Sequence, residues 1–376
     1  MKTELTLHER TLTLHRYPLR SNEQLQAWDA GDEYLINTIE EKSFTATKRI
    51  LIINDSFGAL SCWLSNQHQV FMMSDSYIAH QATKQNLKRN SCNPVTLLTT
   101  IDEIPNDIDL VLMQIPRNNR HLIWILNQLR HAINPKCPVI SVNKAKEIHT
   151  STLQLFEKHL GETTTSLAWK KHRLVNCQAN SIGSPEVNAE TRWTVEDENI
   201  ELVNLPNVYS GESLDQGARF LLQHLPADNL HDFIDLGCGN GVLSIKLARL
   251  NPQATITCID ESFMAVESAR RNLNNNLTGP REINCIANNC LDNIENNSAS
   301  FIVCNPPFHQ QQAITDHIAW QMFCDSKHVL KQGGKLLVIG NRHLGYDSKL
   351  ARLFGNSKVK TVANNKKFVI LQATKY

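Results

Sequence analysis

The sequence predicts an α/β protein of two tandem domains, each a mostly parallel sheet with helices on both faces, and three observations carry that prediction. Short apolar runs alternate with stretches of helical periodicity, the pattern of strand–helix–strand units. The same order of runs occurs twice, at an offset of about 185 residues, as a duplication would leave it. The 376 residues exceed one core of ordinary size and suit two.

In the first domain, Leu5, Leu7, Leu12 and Leu14 alternate with polar residues as in a half-buried strand. Ile50 to Ile53 reads as a strand and Asn54 to Ser61 as a turn entering a helix. A second strand ends near Asp75, Tyr77 to Asn90 has helical spacing, and Asp109 to Ile115 is a strand stopped by Pro116. The segment 181–199, rich in Ser, Gly, Pro, Asn and Glu, reads as a linker or surface excursion between domains at 1–180 and 200–376.

The second domain repeats the order. Phe233 to Leu236 is a strand running into Gly237-Cys238-Gly239-Asn240-Gly241, and Val242 to Leu250 follows as a helix. Thr255 to Ile259 is a strand ending at Asp260, and in the helix Met264 to Asn276 the pair Asn272-Leu273 echoes Asn86-Leu87. Ser300 to Cys304 is a strand ended by Asn305-Pro306-Pro307-Phe308, and Gly333-Gly334 is a turn before the strand Lys335 to Ile339. Asn341 to Gly355 matches Lys144 to Gly161, each closing with a Leu-Phe pair and a glycine.

Composition narrows the function classes. Hydrophobic residues make up 41% and charged residues 20%, as in folded globular proteins rather than disordered ones. No apolar run approaches the ~18–20 residues of a membrane helix, and the N-terminus lacks an export signal, so a cytoplasmic protein is expected. The ten cysteines form no Cys-x-x-Cys pair, so neither a metal site nor disulfides are expected. A net charge of +1 does not by itself announce nucleic acid.

Three motifs carry chemistry. Glycines at 237, 239 and 241 stand where strand turns into helix, so a ligand can approach the backbone and meet free N–H groups. A glycine run alone is a weak signal, but Asp235 before it would sit near the amino group of a bound methionine moiety and repel a pyrophosphate. That favours a nucleoside-sulfonium cofactor over a dinucleotide. Asp260, at the end of the next strand of this Rossmann-like order, can accept ribose hydroxyls, although a turn or helix-capping role competes. Asn289 is placed to meet the adenine. Lastly, the Asn305 side-chain oxygen and the Pro306 carbonyl form a pair of acceptors that can hold the hydrogens of a weakly nucleophilic exocyclic amine. The prolines stiffen the turn and Phe308 offers a stacking face. Spacing alone reaches the amine of a base or an amide.

The sequence Asp235-Leu236-Gly237-Cys238-Gly239-Asn240-Gly241 followed by Asn305-Pro306-Pro307-Phe308 resembles the class I amino-methyltransferases. With the continuation His309-Gln310, the run Tyr209 to Phe220 and the duplicated first half, the chain is similar over nearly its whole length to the bacterial ribosomal RNA guanine-N2 methyltransferases. Asn341-Arg342-His343-Leu344 and Lys170 to Leu174 bring it nearer the large-subunit (23S) enzyme than the small-subunit (16S) one. The resemblance implies two class I methyltransferase domains, S-adenosyl-L-methionine as cofactor and N2-methylguanine in 23S rRNA as product, made on protein-poor RNA.

The first domain reads as a copy that has lost the chemistry. It keeps only Gly58 of the glycines, with Asn54 and Asp55 in glycine positions, and Gln114-Ile115-Pro116-Arg117 stands for the second motif. Its expected role is to grip RNA, with Lys144, Lys146, Lys170, Lys171 and Arg173 as phosphate partners. A monomer is expected. The competing readings are a 16S rRNA guanine-N2 methyltransferase, a protein glutamine-amide methyltransferase, a DNA adenine methyltransferase and a non-catalytic assembly factor.

Overall fold

The computed structural model describes residues 2–20, 23–179, 189–307 and 312–376, with the side chains of 312–316 excepted. The chain forms two compact units, Met1–Ala189 and Glu190–Tyr376. Each holds a seven-stranded sheet of the same strand order. In the first unit the order across the sheet is Thr96–Leu98, Gln69–Met73, Arg49–Ile53, Leu110–Gln114, Pro138–Lys144, His172–Ala179, Gly161–Thr165. In the second it is Ile283–Ala287, Thr255–Asp260, Asp232–Leu236, Ala299–Cys304, Leu330–Asn341, Phe368–Thr374, Val359–Asn364. Five strands of each sheet run parallel, and the last two join antiparallel.

Helices on both faces explain why the central strands read as unbroken apolar runs. Ile50, Leu51, Ile52 and Ile53 have no exposed surface. Ile50 and Ile52 pack with Leu35 and Leu60 on one face; Leu51 and Ile53 pack with Leu122 and Leu126 on the other. Ile256 and Val303 in one core, and Ile302 and Val338 in another, divide the second sheet in the same way. The ten cysteines are free thiols, six of them buried.

A two-stranded hairpin precedes each sheet, Glu4–Leu7 with Arg10–Thr13 and Thr191–Val195 with Ile200–Asn204. Both hairpins are held by a pair of asparagines one helical turn apart. Asn86 takes the His15 N–H (3.0 Å) and donates to the carbonyls of His15 (2.8 Å) and Phe57 (2.7 Å). Asn272 takes the Val203 N–H (2.8 Å) and donates to the carbonyls of Val203 (3.0 Å) and Asn240 (2.9 Å). Asn90 and Asn276 repeat this on Thr13 and Glu201. Each amide satisfies both backbone groups of one residue, which a strand edge otherwise leaves bare.

The structure corrects three local expectations. Leu5, Leu7, Leu12 and Leu14 belong to a hairpin rather than one strand, because His8 and Glu9 take left-handed conformations at its tip. Gly333-Gly334 lies inside the strand Leu330–Asn341, where the pairing with Ala299–Cys304 shifts register, so the glycines make a bulge rather than a turn before the strand. The latter part of the expected linker 181–199 is ordered, since Thr191–Val195 is a strand; residues 180–188 lie outside the described residues.

Candidate active site

Strand Asp232–Leu236 has Thr255–Asp260 on one side and Ala299–Cys304 on the other. The chain therefore leaves the sheet in opposite directions from neighbouring strands, which opens a crevice at their carboxyl ends. Gly237, Gly239 and Gly241 all have positive φ, at 77°, 53° and 81°. Their reasons differ. A Cβ on Gly241 would lie 3.1 Å from the Cα and Cβ of Ala269, so this glycine allows two helices to approach. A Cβ on Gly239 would meet nothing within 4 Å, so its face is open toward the crevice.

Acidic residues brace the turn. Asp260 is half-buried; its Oδ2 accepts the Gly239 N–H (2.9 Å) and its Oδ1 the Ser262 N–H (3.0 Å). The Glu261 backbone N–H bonds this carboxylate as well, which leaves it one lone pair for a ligand. The turn-residue role and the ligand role thus coexist on one side chain. Burial raises its pKa above the ordinary carboxylate value against these backbone hydrogen bonds. Asp235 has no exposed surface. Its Oδ2 accepts from Ser244 Oγ (2.6 Å), while Oδ1 is buried without a partner. Burial pushes its pKa up to about 7. From beneath the turn it can act on a cation by its field rather than as an exposed contact. Cys238 and Asn240 are buried in the turn, where Asn240 donates to Asn204 (2.9 Å). Asn289 is buried with its amide donating to Asp292 (2.8 Å).

Asn305 leaves the sheet beside Gly237, because Cys304 lies opposite Leu236 in parallel register. The Asn305 carbonyl oxygen would lie 3.9 Å from a Cβ on Gly237, with Met322 Cε at 3.3 Å. Asn305 and the glycine turn therefore share one crevice. Asn305 Oδ1 is buried and has no hydrogen-bond partner among the described residues. Pro306 is buried and Pro307 exposed. Phe308, the expected stacking face, and His309 lie outside the described residues. An unpartnered buried acceptor costs free energy unless a donor arrives.

The equivalent crevice of the first unit is filled by side chains. Register and φ place Asn54 (64°) at the position of Gly237 and Gly58 (80°) at that of Gly241. Asn54 Nδ2 donates to the Gln114 carbonyl (3.0 Å), and Gln114 Nε2 donates to Asp32 (2.7 Å). Ser74 replaces Asp260 and accepts the Ser76 N–H (3.1 Å). One expectation is corrected: Asp55 stands at the position of Cys238, and Ser56 at that of Gly239. Asp55 instead supplies the carboxylate that Asp235 supplies in the second unit, accepting from Ser61 Oγ (2.8 Å).

The basic residues expected to meet RNA lie near one another, since Lys144 pairs with His172 and Asn143 with Arg173 across two strands. Lys170 and Lys171 form a two-residue tip with φ of 44° and 66° between Trp169 and His172. Lys170 is spent on Glu33 (2.6 Å) and lies 4.5 Å above the Trp169 ring. Lys144, Lys146 and Lys171 are exposed.

Sequence reasoning missed Ser244 and Met322, whose types carry no signal in a helix. Among the described residues there is no cluster able to hold a metal and no helix long and apolar enough to cross a membrane.

Two family models match the chain: the RLMG N-terminal domain over residues 2–181 and the methyltransferase small domain over 199–372. The Vibrio cholerae protein named ribosomal RNA large subunit methyltransferase G is 69% identical, covering 100% of both chains. The Vibrio campbellii protein of that name is 65% identical over 100% of this chain and 98% of its own. In fold, the chain is similar to the T. thermophilus 16S rRNA N2 methyltransferase solved with AdoMet and guanosine. The TM-score is 0.80 at 19% identity, covering 100% of this chain and 98% of that one.

Proposed function

The chain belongs to the ribosomal RNA large subunit methyltransferase G family, and on that premise we propose that it transfers a methyl group from S-adenosyl-L-methionine to the exocyclic N2 of a guanine in 23S rRNA. The observation that carries the chemical part is the buried, unpartnered Oδ1 of Asn305 beside the glycine turn.

Open space at Gly239, the remaining lone pair of Asp260 and the negative field of Asp235 fit the cofactor. When bound, S-adenosylmethionine supplies the electrophilic methyl carbon. Asp260 would accept from the ribose, and Asn289 would meet the adenine. Asn305 Oδ1 and the Pro306 carbonyl would accept the two amine hydrogens, turning the nitrogen lone pair toward the methyl group and stabilising the charge that develops on nitrogen. As the N–C bond forms the C–S bond breaks, S-adenosylhomocysteine leaves, and the surplus amine proton passes to one of these oxygens or to water. Phe308, which lies outside the described residues, is the candidate stacking face for the guanine, which must leave its own stack to reach the crevice.

The two units derive from one duplicated domain, a reading supported by the shared strand order and the paired asparagine clamps. The first copy, plugged by Asn54 and Gln114, grips RNA through Lys144, Lys146, Lys171 and Arg173. The protein works in the cytoplasm as a monomer on protein-free or partly assembled RNA.

The test is methyl incorporation from labelled cofactor into naked 23S rRNA and, in parallel, into a release-factor protein carrying a Gly-Gly-Gln loop. Label recovered as N2-methylguanosine supports the reading. Label in the protein alone contradicts it.

A further inference from the structure

Four side-chain polar atoms of the second unit are buried without a partner among the described residues: Asn204 Nδ2, Asp235 Oδ1, Asn305 Oδ1 and Asn341 Oδ1. Three of the four are acceptors at the carboxyl ends of three adjacent parallel strands, Asp232–Leu236, Ala299–Cys304 and Leu330–Asn341. They also share a face. Phe233, then Asp235; Phe301 and Val303, then Asn305; Leu337 and Ile339, then Asn341 follow the two-residue alternation, and the apolar members form a single core cluster. Asn341 is 9% exposed and lies opposite Phe368 of the same cluster.

Native chains rarely leave one buried acceptor unpaired, and two on adjacent strands at one end of a sheet call for two donors. The proposed amine accounts for Asn305, while Asp235, beneath the turn with no exposed surface, acts on the cofactor's cationic end by its field. Asn341 is left over. Beside its N2 amine, guanine carries a second donor on the same edge, the ring N1–H. Adenine has a lone pair at that position, which would face another lone pair.

We infer that Asn341 Oδ1 accepts the N1–H of the target guanine, on the strand next to the one that holds its amine, and so selects guanine over a base that has the amine but lacks this hydrogen. The inference rests on the guanine-N2 reading and adds the residue that reads the ring. Asn341 is a positioning residue with no part in bond making. With N1–H fixed by one strand and the amine by the next, the base has a single in-plane orientation.

The experiment uses the full chain and two nucleosides, guanosine and 2-aminopurine riboside, as inhibitors of methyl transfer to protein-free 23S rRNA. Both carry the 2-amine, and only guanosine carries N1–H. Guanosine should inhibit the wild type at about tenfold lower concentration or better, the penalty for an unmade bond to a buried acceptor. Asn341→Leu and Asn341→Ala should bring the two nucleosides together. Asn341→Asp, which when ionised has no donor to turn toward a lone pair, should keep or widen the gap. A merely structural role would weaken both nucleosides alike and leave their ratio unchanged, which overturns the inference. Equal inhibition of the wild type overturns it without any variant. A wild type that methylates no RNA overturns instead the functional reading beneath it.

Discussion

At neutral pH the Asp235 carboxyl lies near the middle of its titration, because burial raises it to about 7 against the Ser244 hydrogen bond, with Asp260 adding to the rise. An unfolded aspartate titrates near ~3.9. Between these values the folded chain holds a proton that the unfolded chain has lost. This group's contribution to stability is therefore full below the unfolded value and lost as pH rises through about 7. Asp235→Asn should gain stability relative to the wild type over that window, read as the difference in Tm across pH. A cationic cofactor favours the ionised form, so wild-type affinity for S-adenosylmethionine should rise between pH ~6 and ~8, while the variant's stays level. Parallel curves would contradict the account. At this scale Asp235, Asp260 and Asn305 were legible because carboxylates and an amide beside glycine and proline stand out. Ser244 was not, since one hydroxyl in a helix looks like any other. Asp55 was misassigned because residue type alone does not fix register, whereas the φ of Asn54 does.

The turn and the helices that flank it separate stability from ligand contact. Gly241→Ala forces a Cβ to 3.1 Å from the backbone of Ala269 at a φ of 81°, and should cost about 2 kcal/mol or more of unfolding free energy. Gly239→Ala meets open space, so it should cost about 1 kcal/mol for its left-handed φ while weakening cofactor binding more than Gly241→Ala does. Denaturant midpoints and cofactor titrations check both. Asn272→Ala removes three hydrogen bonds from a side chain with no exposed surface. It should destabilise by about 2–4 kcal/mol and also weaken cofactor binding, because one bond goes to the Asn240 carbonyl in the turn. Asn86→Ala should destabilise equally and leave cofactor affinity unchanged. The Asn-Leu echo was visible in sequence, but its purpose was not: the hairpin each asparagine clamps lies about 70 residues away along the chain.

Across the whole molecule, a net charge of +1 leaves RNA affinity to local clusters. Lys171→Ala should lower the slope of log affinity for 23S rRNA against log salt by about 1. Lys170→Ala should leave the slope nearly unchanged, because its ammonium already pairs with Glu33; equal effects would contradict that division. The two-unit order was legible because strand ends recur with the same neighbours, Leu-Gly against Cys-Asn and Ile-Asn against Met-Gln. The hairpin strand Thr191–Val195 was hidden in a polar segment whose composition looks like a linker.

The most direct test of the central claim is the paired measurement of Asn305→Ala: single-turnover methyl transfer to protein-free 23S rRNA and equilibrium binding of S-adenosylmethionine. The account predicts transfer reduced by about two orders of magnitude or more, with cofactor affinity kept within a few-fold. Transfer at near wild-type rate would contradict it, because the buried oxygen at the end of that strand would then have no amine to hold.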